Sequence, residues 1–200
     1  MTTLSPLLDA LADLTATEPR PEAQATAAAL RAAAAADFPP QPPSALSPGI
    51  LHTAALSAAH PAANLVHRSH DWLAWQDSPA ASLQPLALRS IKSVVTLLGP
   101  DAPIPSDSFL FGLFYQAPGS TYPLHAHNAA ETYTILAGSA LWQAGDRRFT
   151  LGAGQAIHHP PNLPHAMRAG PEGFLATWRW SGDIGFGSYR MLPDPDAAQA

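Results

Sequence analysis

The chain has 200 residues, of which 46% are hydrophobic and 12% are charged, a composition that suits a globular protein with a substantial core. Its net charge of −5 argues against nucleic acid as a partner, because that binding requires basic surfaces. The chain contains no cysteine, which excludes disulfides and thiolate chemistry and leaves nitrogen and oxygen donors for any metal.

The first part of the chain is rich in alanine and leucine, and we predict that it is helical from Leu4 to about Asp37. Leu4, Leu7, Leu8 and Leu11 recur at helical spacing, which indicates packing against the rest of the chain or against a partner subunit and leaves a homodimer open. The N-terminus lacks the basic start and apolar core of a secretion signal. No apolar run approaches the roughly 20 residues that span a membrane. We therefore expect a cytoplasmic protein without a membrane partner.

A proline-rich connector at 38–43 breaks the helical pattern, and a mixed region follows at 47–83. This region contains four histidines, His52, His60, His67 and His70. Their spacing is not that of metal ligands, so we expect surface or packing roles for them. The chain is divided on this basis into a helical N-terminal region with its connector, residues 1–85, and a second region, residues 86–200.

From about Ser90 the sequence becomes a series of short apolar segments separated by glycine or proline turns. The predicted strands begin at Ser93, Phe109, Glu131, Ser139, Arg148, Gln155, His165 and Phe174. Many short strands separated by glycine or proline turns predict a sandwich or barrel, here a jelly roll. The predicted fold class is therefore mainly β with an α-helical N-terminal extension.

Two motifs within the β region offer three imidazoles and one carboxylate as metal ligands. These residues are His125, His127, Glu131 and His165. The first three have odd numbers, as does Tyr133, so an extended segment directs all four side chains to one face. This ligand set suits one divalent transition metal, zinc, iron, manganese, cobalt or nickel, and leaves coordination positions open for catalysis. His158 and His159 are expected to lie outside the site.

The two motifs resemble those of the cupin superfamily. Gly119, His125, His127, Glu131 and Gly138 fall on the positions of the first cupin motif, and Gly154, Pro160 and His165 fall on those of the second. The second motif departs at Asn162, where cupins usually have glycine, but asparagine tolerates the left-handed backbone of a turn. Ala169 replaces a usual asparagine that is not a ligand. The resemblance implies a single-domain double-stranded β-helix, a jelly-roll barrel with the metal at its mouth.

The surrounding pattern is similar to that of the bacterial cupin-type dimethylsulfoniopropionate lyases, the DddQ-like group. Members of that group have one tyrosine two residues after the motif glutamate, as Tyr133 is here, and another shortly before the first histidine, as Tyr122 is. They also share the helical extension and the aromatic-rich last strand. The resemblance implies a carbon–sulfur lyase of the dimethylpropiothetin dethiomethylase type, which eliminates dimethyl sulfide from a small-molecule substrate and leaves acrylate.

Four residues receive roles from this chemistry. Tyr133 is the expected base, with Tyr122 as the alternate base or as a gate over the substrate. A sulfonium is a cation without hydrogen-bond donors, so the faces of Trp178 and Trp180 are its expected hosts. No basic residue near the motifs offers a carboxylate clamp, which favours binding of the substrate carboxylate by the metal.

Other function classes fit the same ligand set, because fold alone does not determine chemistry. One alternative is a dioxygenase that uses Fe(II) on a small organic acid. Another is a cupin that binds a metabolite without turnover. The sparse lysine and arginine near the motifs disfavour a sugar-phosphate isomerase, since phosphate needs positive hosts.

Overall fold

The computed structural model describes residues 4–33, 36 and 38–193, and its first part is helical. The helices are α1 (Ser5–Ala16), α2 (Pro21–Ala32), α3 (Ser47–Ala54) and α4 (Pro61–Arg68). Each has a proline in its first turn, where the missing N–H and fixed φ suit the start of a helix. Positions 34, 35 and 37 of the predicted helical segment lie outside the described residues. None of the helices described is long and apolar enough to cross a membrane.

The second part of the chain forms strands joined by short turns. The strands are β1 (Lys92–Gly99), β2 (Ile104–Pro105), β3 (Phe109–Gln116), β4 (Thr121–Ala126), β5 (Ala130–Ala144), β6 (Arg147–Gly152), β7 (Ala156–His159), β8 (His165–Ser181) and β9 (Arg190–Met191). This arrangement, mainly β with helices at the N-terminus, agrees with the predicted fold class.

The two longest strands, β5 and β8, organise the sheet. They pair antiparallel with each other along most of their length. On its other edge, the C-terminal part of β8 pairs with β3 and its N-terminal part pairs with β4. The N-terminal part of β5 pairs with β7 and its C-terminal part pairs with β6. The ends of β4, β5, β7 and β8 consequently meet at one place, where the motif residues lie.

Two of the predicted strand boundaries were wrong. The segments predicted to begin at Glu131 and Ser139 are both parts of β5, and those beginning at His165 and Phe174 are both parts of β8. At Gly138 the chain does not turn. Instead, the pairing of β5 with β8 shifts its register there, and Gly138 has φ of +73°. A side chain at Gly138 would collide with the Gly173 carbonyl of β8, so glycine is required for the two strands to stay paired there.

The helices pack on the outer face of the sheet. Leu7, Leu8 and Leu11 of α1 are fully buried in one cluster with Val95 of β1 and Phe111 of β3. Of the two alternatives for the leucine stripe, contact with the rest of the chain is therefore the one observed. A second apolar cluster fills the inside of the fold next to the motif residues. The division near residue 85 stays a prediction.

Candidate metal centre and active site

The strand register brings the predicted site residues together. His125 of β4 pairs with His165 of β8, and Glu131 of β5 pairs with Trp180 of β8. The loop before His165 follows the expected turn chemistry. Asn162 has φ of 64°, and its N–H donates to the His127 carbonyl at 2.8 Å, which ties the second motif to the first.

The three predicted histidine ligands are oriented in the same way. Nδ1 lies 2.8 Å from the Pro123 carbonyl in His125, 3.1 Å from the Ala129 carbonyl in His127, and 2.9 Å from the Leu163 carbonyl in His165. A carbonyl only accepts hydrogen bonds, so Nδ1 carries the proton in each ring and Nε2 has a free lone pair. This tautomer is the one that a metal-binding Nε2 requires.

Glu131 supplies the carboxylate. Trp180 Nε1 donates to its Oε1 at 2.6 Å, while Oε2 lies 3.3 Å from His127 Nε2 and 3.1 Å from His165 Nε2. Burial raises the pKa of the Glu131 carboxyl, but the imidazoles of His127, His159 and His165 beside it more than offset this effect. The pKa lies well below its ordinary value, so the side chain is ionised at neutral pH.

The donor set fits a divalent transition metal. Ligand atoms of His125, His127 and His165 lie within 4.8 Å of one another, and all three side chains are buried. The Nε2 lone pairs of His127 and His165 face a carboxylate, an arrangement that a bound cation would stabilise. His165 Nε2 has no hydrogen-bond partner among the described residues. This buried group of histidines and a glutamate could therefore bind a metal.

The two tyrosines are buried beside the imidazoles. The ring of Tyr122 stacks on that of His125 with centroids 4.2 Å apart, and its hydroxyl lies 2.8 Å from that of Tyr189. Gln84 Nε2 donates to both hydroxyls. Burial raises the pKa of the Tyr133 hydroxyl well above its usual value, and the charge of Glu131 raises it further. Burial, followed by the neighbouring tyrosines, does the same for Tyr122.

Aromatic side chains line the small cavity in front of these residues. Trp178 and Trp180 are both buried and meet edge to face, with centroids 6.2 Å apart, and both line the cavity together with Phe114 and Phe186. The inward orientation expected for the two tryptophans is therefore observed. The cavity volume is about 30 Å³, which is close to the volume that one water molecule occupies.

Four residues at the site were missed by the sequence analysis. His159 was placed outside the site, but its Nδ1 lies 3.4 Å from Glu131 Oε2, because β7 pairs with β5 and sets His159 opposite Glu131. Gln84 and Tyr189 come from segments outside both motifs. Lys92, the lysine of β1, has its ammonium 4.7 Å from the Tyr122 ring centroid. Each of the four reaches the site through contacts between distant parts of the chain, which leave no local sequence pattern.

The known sequences that match this chain are named as dimethylsulfoniopropionate lyases. The sequence profile of the dimethylsulfoniopropionate lyase family matches residues 41–176. Dimethylsulfoniopropionate lyase DddQ of Ruegeria pomeroyi is 39% identical over 89 residues, 44% of each chain. A putative lyase, DddL of Cereibacter sphaeroides, is 31% identical over 100 residues, 49% of this chain and 42% of DddL. The chain thus spans less than half the length of the curated relatives it matches.

Solved structures extend the likeness over nearly the whole chain. The crystal structure of DddQ from Ruegeria pomeroyi is 26% identical with a TM-score of 0.67, covering 91% of this chain and 92% of that one. A structure from a study of the lyases RdDddP and RnDddQII has a TM-score of 0.71 at 23% identity, covering 96% of this chain and 98% of that one, and supports the fold alone. The fold is a cupin jelly roll, and the chain belongs to the dimethylsulfoniopropionate lyase family.

Proposed function

We propose that this protein is a metal-dependent carbon–sulfur lyase that cleaves dimethylsulfoniopropionate to dimethyl sulfide and acrylate. Two observations carry the proposal. Ligand atoms of His125, His127 and His165 lie within 4.8 Å of one another, and two of these histidines line one aromatic cavity together with Glu131 and both buried tyrosines. Membership of a lyase family and the 39% identity to a segment of DddQ give the substrate class.

We propose His125, His127, Glu131 and His165 as the side chains that hold one divalent transition metal. Zinc, iron, manganese, cobalt and nickel all accept nitrogen and carboxylate donors. When bound, such a metal supplies positive charge that binds the substrate carboxylate and stabilises the negative charge developing on the adjacent carbon. Trp180 holds Oε1 of Glu131 through its indole N–H and leaves Oε2 on the side of the imidazoles.

Tyr133 is the proposed base. Its ionised hydroxyl oxygen takes the proton from the carbon next to the substrate carboxylate. The electron pair of that C–H bond forms the carbon–carbon double bond, and the pair of the breaking C–S bond leaves with dimethyl sulfide. Because burial and Glu131 raise the pKa of Tyr133, its ionised form needs a compensating positive charge close by. Tyr122 is the alternate base.

The aromatic walls suit the cationic end of the substrate. The sulfonium has no hydrogen-bond donor, and a cation is attracted to the negative face of an aromatic ring. Trp178, Trp180 and Phe114 line the cavity.

The Trp178 indole N–H is buried and has no partner among the described residues, so it offers a donor for an anionic group.

We propose that side chains of the site move when the substrate enters. The cavity volume is about 30 Å³, which corresponds to about one water molecule. Dimethylsulfoniopropionate is several times larger than a water molecule. Tyr122 closes one side of the cavity through its hydrogen bonds to Gln84 and Tyr189. Breaking this cluster would open the site, which agrees with the role of a gate for Tyr122.

The function is tested by measuring dimethyl sulfide in the headspace and acrylate in solution. Metal-loaded protein should release both in equal amounts. Tyr133→Phe should keep its metal and lose turnover by about 10²- to 10⁴-fold, the usual contribution of a general base. If Tyr122→Phe lost turnover and Tyr133→Phe retained it, Tyr122 would be the base instead. Oxygen uptake on another substrate, without either product, would reject the lyase in favour of a dioxygenase.

Two further proposals concern the surroundings of the protein. We expect it in the cytoplasm, which cell fractionation would test. A homodimer is also proposed, although α1 already buries its leucines within the chain. Light scattering of the purified protein distinguishes one copy from two.

A further inference from the structure

His159 occupies an unusual place beside the candidate metal centre. It is fully buried at the end of β7, and its backbone pairs with that of Glu131. Its ring stacks on that of His165 with centroids 4.0 Å apart and an interplanar angle of 17°. Nitrogen atoms of His159 and His165 and an oxygen of Glu131 lie within 4.8 Å of one another. Distance alone therefore makes His159 a competing candidate for a ligand.

The hydrogen bonds of His159 determine which of its nitrogens carries the proton. Trp142 Nε1 lies 2.9 Å from His159 Nε2. An indole N–H is only a donor, so Nε2 must be the acceptor and its lone pair is already used. The proton of the neutral ring consequently sits on Nδ1, which lies 3.4 Å from Glu131 Oε2. His159 thus presents an N–H to the site, whereas a ligand must present a lone pair.

This arrangement is the reverse of that in the three other imidazoles. His125, His127 and His165 donate from Nδ1 to a backbone carbonyl and turn Nε2 towards the site. His159 instead turns Nδ1–H towards the carboxylate and receives a hydrogen bond on Nε2 from a side chain. The difference separates the four histidines into three that can ligate a cation and one that can only donate.

We propose that His159 is a positioning residue that holds Glu131 Oε2 in place for the metal, and that Trp142 fixes the tautomer in which it does so. The inference rests on the proposed metal site. Trp180 anchors Oε1 and His159 anchors Oε2, so both carboxylate oxygens are held before a cation arrives. Partners of this kind orient a ligand and contribute to metal affinity, with losses of about 10- to 100-fold on mutation.

The first test measures Co²⁺ binding to purified protein stripped with chelator, without reference to activity. Affinity comes from competition with a chromogenic chelator, stoichiometry from elemental analysis, and coordination from the visible spectrum of bound Co²⁺. His159→Leu should still bind one Co²⁺ with an unchanged spectral type but about 10- to 100-fold more weakly. His159→Gln, which keeps an N–H donor, should recover part of that loss.

His165→Ala is the matched control for loss of a ligand. It should alter the Co²⁺ spectrum and lower the stoichiometry. If His159→Leu behaved like His165→Ala, His159 would be a ligand and the proposal would be overturned. Unchanged affinity in a folded His159→Leu protein would overturn it as well. Failure of the wild type to bind Co²⁺ would instead reject the metal site and the proposed function together.

A double-mutant cycle tests the part played by Trp142. Trp142→Phe removes the indole N–H, which frees His159 Nε2 to take the proton and weakens the bond to Glu131. It should lower Co²⁺ affinity severalfold in the wild-type background and have almost no further effect in His159→Leu. Equal effects of Trp142→Phe in the two backgrounds would show that Trp142 acts by packing alone. Melting curves of all variants establish that each is folded.

Discussion

Each imidazole of the proposed ligand set is fixed by a carbonyl two residues away in the chain. The partners of His125, His127 and His165 are Pro123, Ala129 and Leu163. A partner this close in sequence costs little loop entropy to bring into place. The direction of each Nε2 is therefore set by the local backbone, and little reorganisation is needed when a cation binds.

The buried ammonium of Lys92 predicts how the free energy of unfolding depends on pH. Burial lowers the pKa of its ammonium from 10.5 to about 8, despite the opposing charge of Asp77. Between pH 8 and 10.5 the unfolded chain keeps the proton that the folded chain has released, so folding becomes more favourable as pH rises. The free energy of unfolding of the wild type, relative to Lys92→Met, should increase across this interval.

Urea denaturation of both proteins at several pH values measures this difference. The comparison cancels the titration of tyrosines, which both proteins share. A difference that stayed flat from pH 8 to 10.5 would contradict the account of Lys92 as a buried ammonium.

Single residues of the site were predictable only where local geometry decides their direction. Alternation along one extended segment predicted a common direction for His125, His127, Glu131 and Tyr133. The side chains do meet, but the single segment was wrong: β4 ends at Ala126 and a short connection carries His127 before β5 begins at Ala130. His159 has the same parity, but its position opposite Glu131 depends on the pairing of β7 with β5. That pairing joins distant parts of the chain and leaves no local pattern.

At the scale of elements, an ion pair joins the α1–α2 connection to β8 directly behind the site. Arg179 donates to both Glu18 carboxylate oxygens at 2.7 and 2.9 Å and to Thr132 of β5 at 3.0 Å. Arg179 lies between Trp178 and Trp180, and Thr132 lies between Glu131 and Tyr133. The helices therefore hold the outer face of the two strands that carry the site on their inner face.

Replacing Glu18 should destabilise the protein in a pH-dependent way. Burial raises the pKa of Glu18, but the hydrogen bonds and charge of Arg179, aided by Arg20, more than offset it, so the pKa lies below 4.5. The stabilising pair is complete above pH 4.5 and is lost as pH falls through the lowered pKa. Glu18→Gln should lower the melting temperature at pH 7 and converge on the wild type in acid.

Asp13→Asn is the matched control, because it removes the exposed pair with Arg31 on the same helices. An exposed pair contributes about 0.2–1 kcal/mol, and Glu18→Gln should cost more, since it leaves the buried Arg179 without its partner. Equal effects of the two substitutions at pH 7 would contradict a special role for the Glu18 pair.

The identity of the elements was predictable to a greater extent than their ends. Helical propensity and the leucine stripe predicted helix from Leu4 to about Asp37, which the structure divides into α1 and α2. Turn residues indicated most strands. Gly138 lies between two predicted strands, where a glycine indicates a turn. The structure uses it as a register shift inside β5, a choice that depends on the facing strand β8.

At the scale of the whole molecule, the helices and the sheet share one apolar cluster. Leu8→Ala, at a fully buried position of that cluster, should lower the free energy of unfolding by about 2–5 kcal/mol. Because the cluster joins both parts, we expect helical circular dichroism and tryptophan fluorescence to report one coincident transition. Leu86→Ala, at an exposed leucine, should have little effect. Two separate transitions would show that the helices and the sheet unfold independently.

The central claim, that one metal held by the three imidazoles and Glu131 supports lyase turnover, is tested most directly by a metal titration. Protein stripped with chelator is reloaded with increasing amounts of a divalent metal, and the release of acrylate and dimethyl sulfide from dimethylsulfoniopropionate is measured at each occupancy. We predict a rate proportional to bound metal up to one ion per chain. Turnover that is independent of occupancy, or absent at one ion per chain with every metal of the set, would contradict the account.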